Sequence, residues 1–373
     1  MIKILFLNHT GSVFGSETIL LQVLDSLYGE KEFELHVIYL KTNHQEFENA
    51  IKSIGITHYR NVYYKMMDCD FFKSIIKLGL SIIAFFKILY YVRKKGIEVI
   101  YSNTSINIYG ITIAKLAKKK HVWHYHEEPC ENFTWVNHAF FSWYRWLLKY
   151  DKNTVIFISN KQKEKWEQML NVSFANYKIV YSPLKKIEDR SIDTEGYDVS
   201  FGYLGGFTQI PKNIMMLLNC FFRLSSSHPT YKMRLILKGK GPMEEKIKEF
   251  ISSHDLTEKV FIQRYSSELS SFFSSINVFV LPSFFESWGL VAIEAMSLGK
   301  YTIITKNAPI SELIPEEYYT YIDPYDEDSL YNAMKKALAN PAIPQSQTDQ
   351  LNEIMRKNNE SFCLNIRNIV FNL

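Results

Sequence analysis

The feature that most constrains this chain is a repeated pattern: a short, near-continuous apolar run followed by a stretch with amphipathic helical periodicity. In the first half the runs are IKILFLN (2–8), ELHVIYL (34–40), VIYSN (99–103), HVWHYH (121–126), TVIFIS (154–159) and YKIVYS (177–182). In the second half they are VSFGYLG (199–205), MRLILKG (233–239), VFIQRY (260–265), VFVLPS (278–283), YTIIT (301–305) and TYID (320–323). Helical stretches lie between most of them, for example at 17–28, 212–224, 243–252 and 326–339. A strand covered on one face alternates apolar and polar residues, whereas one covered on both faces is apolar throughout. The pattern therefore predicts an α/β protein with parallel sheets between helix layers. Each half supplies about six strands, which predicts two doubly wound domains rather than one giant sheet. The polar, aperiodic stretch SPLKKIEDRSIDTEGYD (182–198) reads as the linker. The expected division is 1–182, 183–345 and a tail at 346–373 of one or two helices, a candidate to pack back on the first domain.

Composition narrows the class. The 373 residues are 47% hydrophobic, 15% aromatic and 22% charged, which excludes a disordered chain, a collagen-like repeat and a disulfide-stapled miniprotein. The cysteines (Cys69, Cys130, Cys220, Cys363) are scattered without CxxC pairs, as suits reduced thiols in a cytoplasmic protein. The opening MIKILFLNHTGS has too short an apolar run and too little leading charge for a signal peptide. Charge is uneven: residues 1–182 hold 23 Lys and Arg against 16 Asp and Glu, and the remainder holds 20 against 23. A basic first half suits an anionic membrane leaflet, nucleic acid or an acidic small molecule. No compact basic run with interleaved aromatics favours nucleic acid. The most apolar segment, 71–96, is interrupted by Lys73, Lys77 and Lys87, so no uncharged stretch spans a bilayer. It is expected to be a buried helix packed on the sheet; the alternative is an interfacial helix that docks on a membrane through aromatics and lysines.

The segment PSFFESWGLVAIEAMSLGK (282–300) is the most informative for chemistry. Its strand ends at Ser283 and a helix is expected to begin near Gly289 and stop at Gly299. Glu286 then lies in the loop before the helix and Glu294 on its second turn. The free amides near Gly289 and Leu290 are donors suited to phosphate or sugar oxygens. Read as structure alone, Glu286 is a solvent-facing loop residue and Glu294 an ordinary helix glutamate. Lys212 follows a Gly-rich strand-to-helix turn, where a cation reaches a phosphate aimed at the helix; the bland alternative is a solvated surface lysine. Gly15, Gly239 and Gly241 lie in turns where a missing side chain lets a ligand approach the backbone. Tyr265, at a strand end, is a candidate for a base pocket or a packing aromatic. His126 ends its strand at the carboxyl edge, where open sheets bind ligands, with His124 on the same face; the alternative is a hydrogen-bonded structural histidine. His121, His124, His126 and Cys130 are metal-ligand types, but alternation turns His121 away from the other two, and no metal site is expected. Asp68-Cys69-Asp70 spells the DxD of metal-dependent GT-A enzymes, yet it precedes an apolar helix, which makes Asp70 an N-cap candidate.

Glu286 and Glu294 within ESWGLVAIEAMSLGK resemble the signature of retaining GT-B glycosyltransferases, in particular glycosyltransferase family 4. YLGGFTQIPKN (203–213), LKGKGP (237–242), GSVFGSE (11–17) and WHYHEEP (123–129) resemble further motifs of that family, in the family's order. The resemblance implies two Rossmann-like domains facing a cleft, the first binding acceptor and the second nucleotide-sugar. It implies catalytic roles for His126 and Glu286, and donor contacts from Gly15, Gly206, Lys212, Gly239, Tyr265, Gly289, Leu290 and Glu294. It further implies transfer with retention, without a metal or other cofactor, from a nucleotide diphosphate-sugar to a glycan or lipid-linked acceptor. The setting expected is bacterial cell-surface polysaccharide synthesis at the cytoplasmic face of the inner membrane. Three departures stand out: Gly206 occupies the place of an arginine that helps hold the diphosphate in many relatives, Ser287-Trp288 replaces Gly-Phe, and Ser182-Pro183 replaces Asn-Gly. Lys240, Arg264 and Lys185 are candidates to compensate for the arginine. A sugar-nucleotide 2-epimerase of the same architecture and a non-catalytic two-lobed nucleotide-binding protein are the alternatives.

Overall fold

A computed structural model describes residues 1–42, 45–62, 74–129, 138–184, 194, 196–266 and 269–372. It divides into two compact units, Met1–Pro183 with Asn359–Leu373, and Leu184–Asn358.

The first unit runs β1 (Ile2–Asn8), α1 (Gly15–Leu27), β2 (Phe33–Leu40), α2 (Glu46–Ile54), β3 (His58–Val62), α3 (Ser74–Lys95) and β4 (Val99–Asn103). It continues with α4 (Ile108–Ala117), β5 (Lys120–Tyr125), α5 (His138–Leu148), β6 (Asn153–Phe157), α6 (Asn160–Leu170) and β7 (Tyr177–Ile179). The strands form one sheet in the order β3-β2-β1-β4-β5-β6-β7, every neighbouring pair parallel. Ile4, Leu5, Phe6 and Leu7 are consecutive and all buried, as a strand covered on both faces requires. The sheet has one strand more than the apolar runs predict. That strand is HYRNV, which is polar because it lies at the sheet edge with most of its residues exposed or half-buried. Ser159 caps α6 by accepting from the Gln162 amide at 3.0 Å, while Gln162 Oε1 accepts from the Ile158 amide at 3.0 Å. This reciprocal arrangement starts the helix directly after its strand.

The second unit runs β8 (Val199–Gly206), α7 (Ile214–Ser227), β9 (Met233–Lys240), α8 (Glu244–Ser253), β10 (Val260–Arg264), α9 (Ser270–Ser274) and β11 (Val278–Leu281). It continues with α10 (Leu290–Ser297), β12 (Tyr301–Thr305), β13 (Thr320–Ile322) and α11 (Glu327–Ala337). Its sheet is parallel in the order β10-β9-β8-β11-β12-β13. The chain ends in one long helix, α12 (Gln345–Phe371), whose residues from Asn359 onward belong to the first unit. There Arg367 pairs with Glu30 at 3.0 Å. Most of the expected linker, including Lys185, lies outside the described residues, as do Asp68, Cys69, Asp70 and Cys130.

The expectation of a buried helix over 71–96 holds for one face of α3. Ala84, Ile88, Leu89, Tyr91 and Val92 are buried, and the last four join Leu5, Leu7 and Ile100 of the sheet in one cluster. Ile82, Ile83, Phe86 and Tyr90 are exposed on the other. A helix on the outside of a sheet buries a single stripe, however apolar the rest of its surface is. Among the described residues, no helix is long and apolar enough to cross a membrane.

Candidate functional site

In each unit the strand order reverses once, between β1 and β4 in the first and between β8 and β11 in the second. At such a reversal the loops leaving the carboxyl ends of adjacent strands diverge, which opens a crevice for ligands. Lys212 and Glu286 lie at the reversal of the second unit and His126 lies beside that of the first, whereas Arg264 and Tyr265 lie at the end of the edge strand β10.

In the second unit the loops that follow β8 and β11 are tied together, the Phe284 amide donating to the Pro211 carbonyl at 2.8 Å. That tie joins Lys212 to Glu286, with Nζ 2.9 Å from Oε2. Ser283 Oγ lies 3.4 Å from the same carboxylate oxygen. The sequence reading gave the lysine and the glutamate separate tasks; the structure makes them one ion pair, both partly buried. An ammonium so held keeps two N–H groups for other acceptors, and the carboxylate keeps one oxygen for a hydroxyl. Nearby, the Tyr203 hydroxyl donates to the Gly206 carbonyl at 2.7 Å. Burial, with the charge of Glu286 added, pushes that phenol's pKa well up, so it stays protonated.

Gly289 caps α10 with φ at +88°, a left-handed conformation that other residues adopt only with strain. Its carbonyl accepts from the amides of Ala292 and Ile293, at 2.9 and 3.1 Å. Helix geometry leaves the amides of Leu290 and Val291 without partners inside the helix, aimed toward the loop that carries Glu286. Glu294 lies one turn further on, half-buried.

The glycines at the end of β9 are required by the chain's own backbone. A Cβ on Gly239 would stand 2.0 Å from the Gly205 carbonyl oxygen, and one on Gly241 would stand 2.5 Å from that of Phe207. Both glycines let the β9 end lie directly against the turn after β8, where Phe207 donates to Lys240 and Met243 donates to Phe207, each at 3.0 Å. Their smallness serves the chain's own packing. Gly206 is under no such constraint, since a Cβ there would meet only the Thr208 methyl at 3.9 Å. Lys240, Arg264 and Tyr265 are exposed at the carboxyl ends of β9 and β10.

In the first unit, β1, β4 and β5 end in a chain of amides and imidazoles. Asn103 Oδ1 lies 2.8 Å from His126 Nε2, and Asn103 Nδ2 donates to Asn8 Oδ1 at 2.9 Å. Asn8 Nδ2 donates in turn to the Thr10 carbonyl at 2.8 Å. With Asn103 accepting, His126 carries its proton on Nε2 and presents Nδ1 as a lone pair. Among the described residues that buried Nδ1 has no hydrogen-bond partner. Burial, then the neighbouring His124 and His9, holds the His126 pKa well below the usual imidazole range. The ring is therefore a neutral acceptor suited to a hydroxyl. His124 lies beside it with the rings tilted by 41° and centroids 4.0 Å apart, and its Nδ1 lies 2.6 Å from the Tyr101 hydroxyl. Glu127 secures the following loop, its carboxylate accepting from the amide and hydroxyl of Ser105, each at 3.0 Å.

Gly15 is the exposed first residue of α1, with nothing within 4 Å of a Cβ placed there. Two residues on, Glu17 is buried beside His9, with Oε1 and Nδ1 3.4 Å apart. Burial raises its pKa more than His9 and its hydrogen bonds lower it. Glu17, Asn8 and Asn103 escaped the sequence reading. Asparagine as the last residue of the apolar runs IKILFLN and VIYSN was the available signal. His121 points to the other face of β5, held by Asn153 at 2.7 Å and Ser102 at 2.8 Å. Among the described residues, no three His, Cys, Asp or Glu side chains converge as a metal site.

Residues 200–361 match the family described as Glycosyl transferases group 1. An uncharacterized glycosyltransferase of Methanocaldococcus jannaschii is 22% identical over 210 residues, 52% of this chain and 53% of that protein. This chain thus spans about half the length of that relative. Among solved structures, Anabaena HepE in complex with UDP-glucose superposes with a TM-score of 0.80 at 14% identity, covering 100% of both chains. The lipopolysaccharide outer core galactosyltransferase WaaB superposes with a TM-score of 0.72 at 15% identity, covering 100% of this chain and 99% of that one. These likenesses show the fold, two parallel-sheet α/β units of the GT-B kind.

Proposed function

We propose that this chain, whose residues 200–361 belong to the glycosyl transferases group 1 family, transfers a sugar from a nucleotide diphosphate-sugar to a glycan or lipid-linked acceptor. The observation that carries the reading is the Lys212–Glu286 pair at the strand reversal of the family-matched unit, beside the open amides of α10. Cleavage of a sugar–phosphate bond leaves negative charge on the diphosphate and positive character on the sugar. Lys212 and the amides of Leu290 and Val291 would stabilise the first, with no metal ion required. Glu286 would orient sugar hydroxyls and support the cationic ring, and Glu294 would accept from the ribose hydroxyls. In the first unit, His126 would accept a hydrogen bond at Nδ1 from a hydroxyl of the acceptor. Retention of configuration follows by same-face attack, the departing phosphate oxygen taking the acceptor's proton. The UDP-glucose complex of HepE favours a uridine diphosphate donor. The likeness to WaaB, a lipopolysaccharide outer core galactosyltransferase, favours bacterial cell-surface polysaccharide synthesis; peripheral contact at the cytoplasmic face of the inner membrane is part of the same proposal.

A thermal-shift panel of UDP, GDP, ADP and dTDP sugars tests the reading. The true donor at a hundredfold excess over its dissociation constant stabilises the protein by about 2.7 kcal/mol. Lys212→Ala removes one charge-assisted hydrogen bond, so donor affinity should fall about 10- to 100-fold. Stabilisation of that variant equal to the wild type, or no stabilisation by any sugar nucleotide, would sink the reading. A second variant uses the space at Gly206. Gly206→Arg should fold normally and bind UDP about tenfold more tightly by supplying a bidentate phosphate partner. Calorimetry showing unchanged affinity would mean that the diphosphate does not pass this turn.

A further inference from the structure

The three consecutive helices α3, α4 and α5 contain no aspartate or glutamate, while they carry lysine and arginine. They lie side by side over one face of the first unit's sheet: Phe85 of α3 packs on Tyr109 of α4 with centroids 6.1 Å apart. Lys115 of α4 lies 3.6 Å above the Trp146 ring of α5. Among the described residues, the exposed side chains of these helices are apolar, basic or uncharged, where an ordinary helix layer carries both signs of charge. Ile82, Phe86 and Tyr90 follow one another at four-residue spacing along α3, with Phe86 60% and Tyr90 63% exposed. Ile83 stands in the adjacent row, and Leu116 and Trp146 extend the apolar exposure onto α4 and α5. The α3 stripe spans about 12 Å. It continues into a basic end formed by Arg93, Lys94 and Lys95, with Lys94 5.5 Å above the Tyr90 ring.

We propose that this α3–α4–α5 face is the surface by which the protein docks on an anionic lipid bilayer. The proposal deepens the membrane contact put forward above and rests on that part of the reading alone. Charge decides the occupant. A protein partner of ordinary mixed charge leaves a one-signed face unmatched, whereas an anionic leaflet matches it throughout. Side-chain chemistry agrees: Ile82, Ile83 and Phe86 suit the acyl boundary, while Tyr90 and Trp146, each beneath a lysine ammonium, suit the headgroup layer. The lysine stems lie along the apolar surface and carry their charges to the phosphates.

Flotation of the full chain with lipid vesicles tests this. Binding to phosphatidylcholine vesicles containing phosphatidylglycerol should exceed binding to phosphatidylcholine alone by at least about tenfold and fall as salt is raised. Lys87→Glu with Lys94→Glu should abolish the preference for anionic vesicles. Phe86→Ser with Tyr90→Ser should reduce binding to both at least about tenfold, and since both side chains are exposed the melting temperature should not move. Equal binding to both vesicles, no binding to either, variants that bind like the wild type, or a face occupied by a second copy of the chain without lipid would each overturn the proposal. The UDP-glucose thermal shift of the Phe86, Tyr90 variant separates the two readings. A preserved shift with failed flotation removes only the docking surface; flotation without any shift removes only the transferase.

Discussion

The first unit should lose about 4 kcal/mol of stability between pH 7.5 and pH 5, a window in which an ordinary surface would change little. Burial holds His121 and His124 down at about 3, against an ordinary histidine value of 6.5. Folding therefore excludes protons that the unfolded chain binds once pH falls below about 6.5. Stability rises with pH wherever the unfolded state holds more protons, so both contributions are complete above 6.5 and are lost on acidification toward 3. At pH 5 each histidine accounts for about 2 kcal/mol. His126 and His36 shift in the same direction, also through burial, and add to the loss. Glu17 opposes it, because burial raises its pKa and the folded unit takes up its proton first as pH falls. Carboxylates held low by basic partners, Glu34 and Glu167 among them, still contribute fully at pH 5, since their loss begins below the unfolded value of 4.5.

Urea unfolding followed by tryptophan fluorescence measures this effect. Trp123, Trp135, Trp143, Trp146 and Trp166 belong to the first unit, and Trp288→Phe removes the signal of the second. His124→Gln should flatten the pH dependence by one proton even where it lowers stability overall. A stability that is level from pH 7.5 to pH 5 would show that these imidazoles are not buried in neutral form.

Gly239→Ala should cost the second unit at least about 3 kcal/mol, above the usual range for an added methyl group. Gly205 and Gly239 are register partners on β8 and β9, and the new methyl would stand 2.0 Å from the Gly205 carbonyl oxygen. A flexible side chain could swing away, but a backbone carbonyl inside the β8–β9 ladder cannot move without breaking it. The melting transition should drop by about 6 °C or more. Gly206→Ala is the matched control: a Cβ there meets nothing closer than 3.9 Å, so the same methyl one turn away should leave the transition near the wild type. The two variants melting together would mean that the β9 end does not lie against the β8 turn.

Much of this molecule was legible in the chain because periodicity is a local property. Residues buried on both sheet faces are apolar one after another, so twelve strands were visible as runs, and the one missed, HYRNV, was missed because an edge strand need not be apolar. The turn at Gly289 and the helix behind it were readable for the same reason: a left-handed cap and a helical repeat are written in adjacent residues. Contacts set by strand order were not readable. Lys212 and Glu286 are 74 positions apart and meet because β8 and β11 are sheet neighbours. The proton on His126 is assigned by Asn103, 23 positions away on the strand beside it. The sequence by itself determined where the strands, helices and turns fall and which residues carry charge at their ends. Only the tertiary structure decided which of those charges pair, which glycines serve packing, and which face of α3 stays uncovered, because each depends on the neighbour that a crossover connection places alongside.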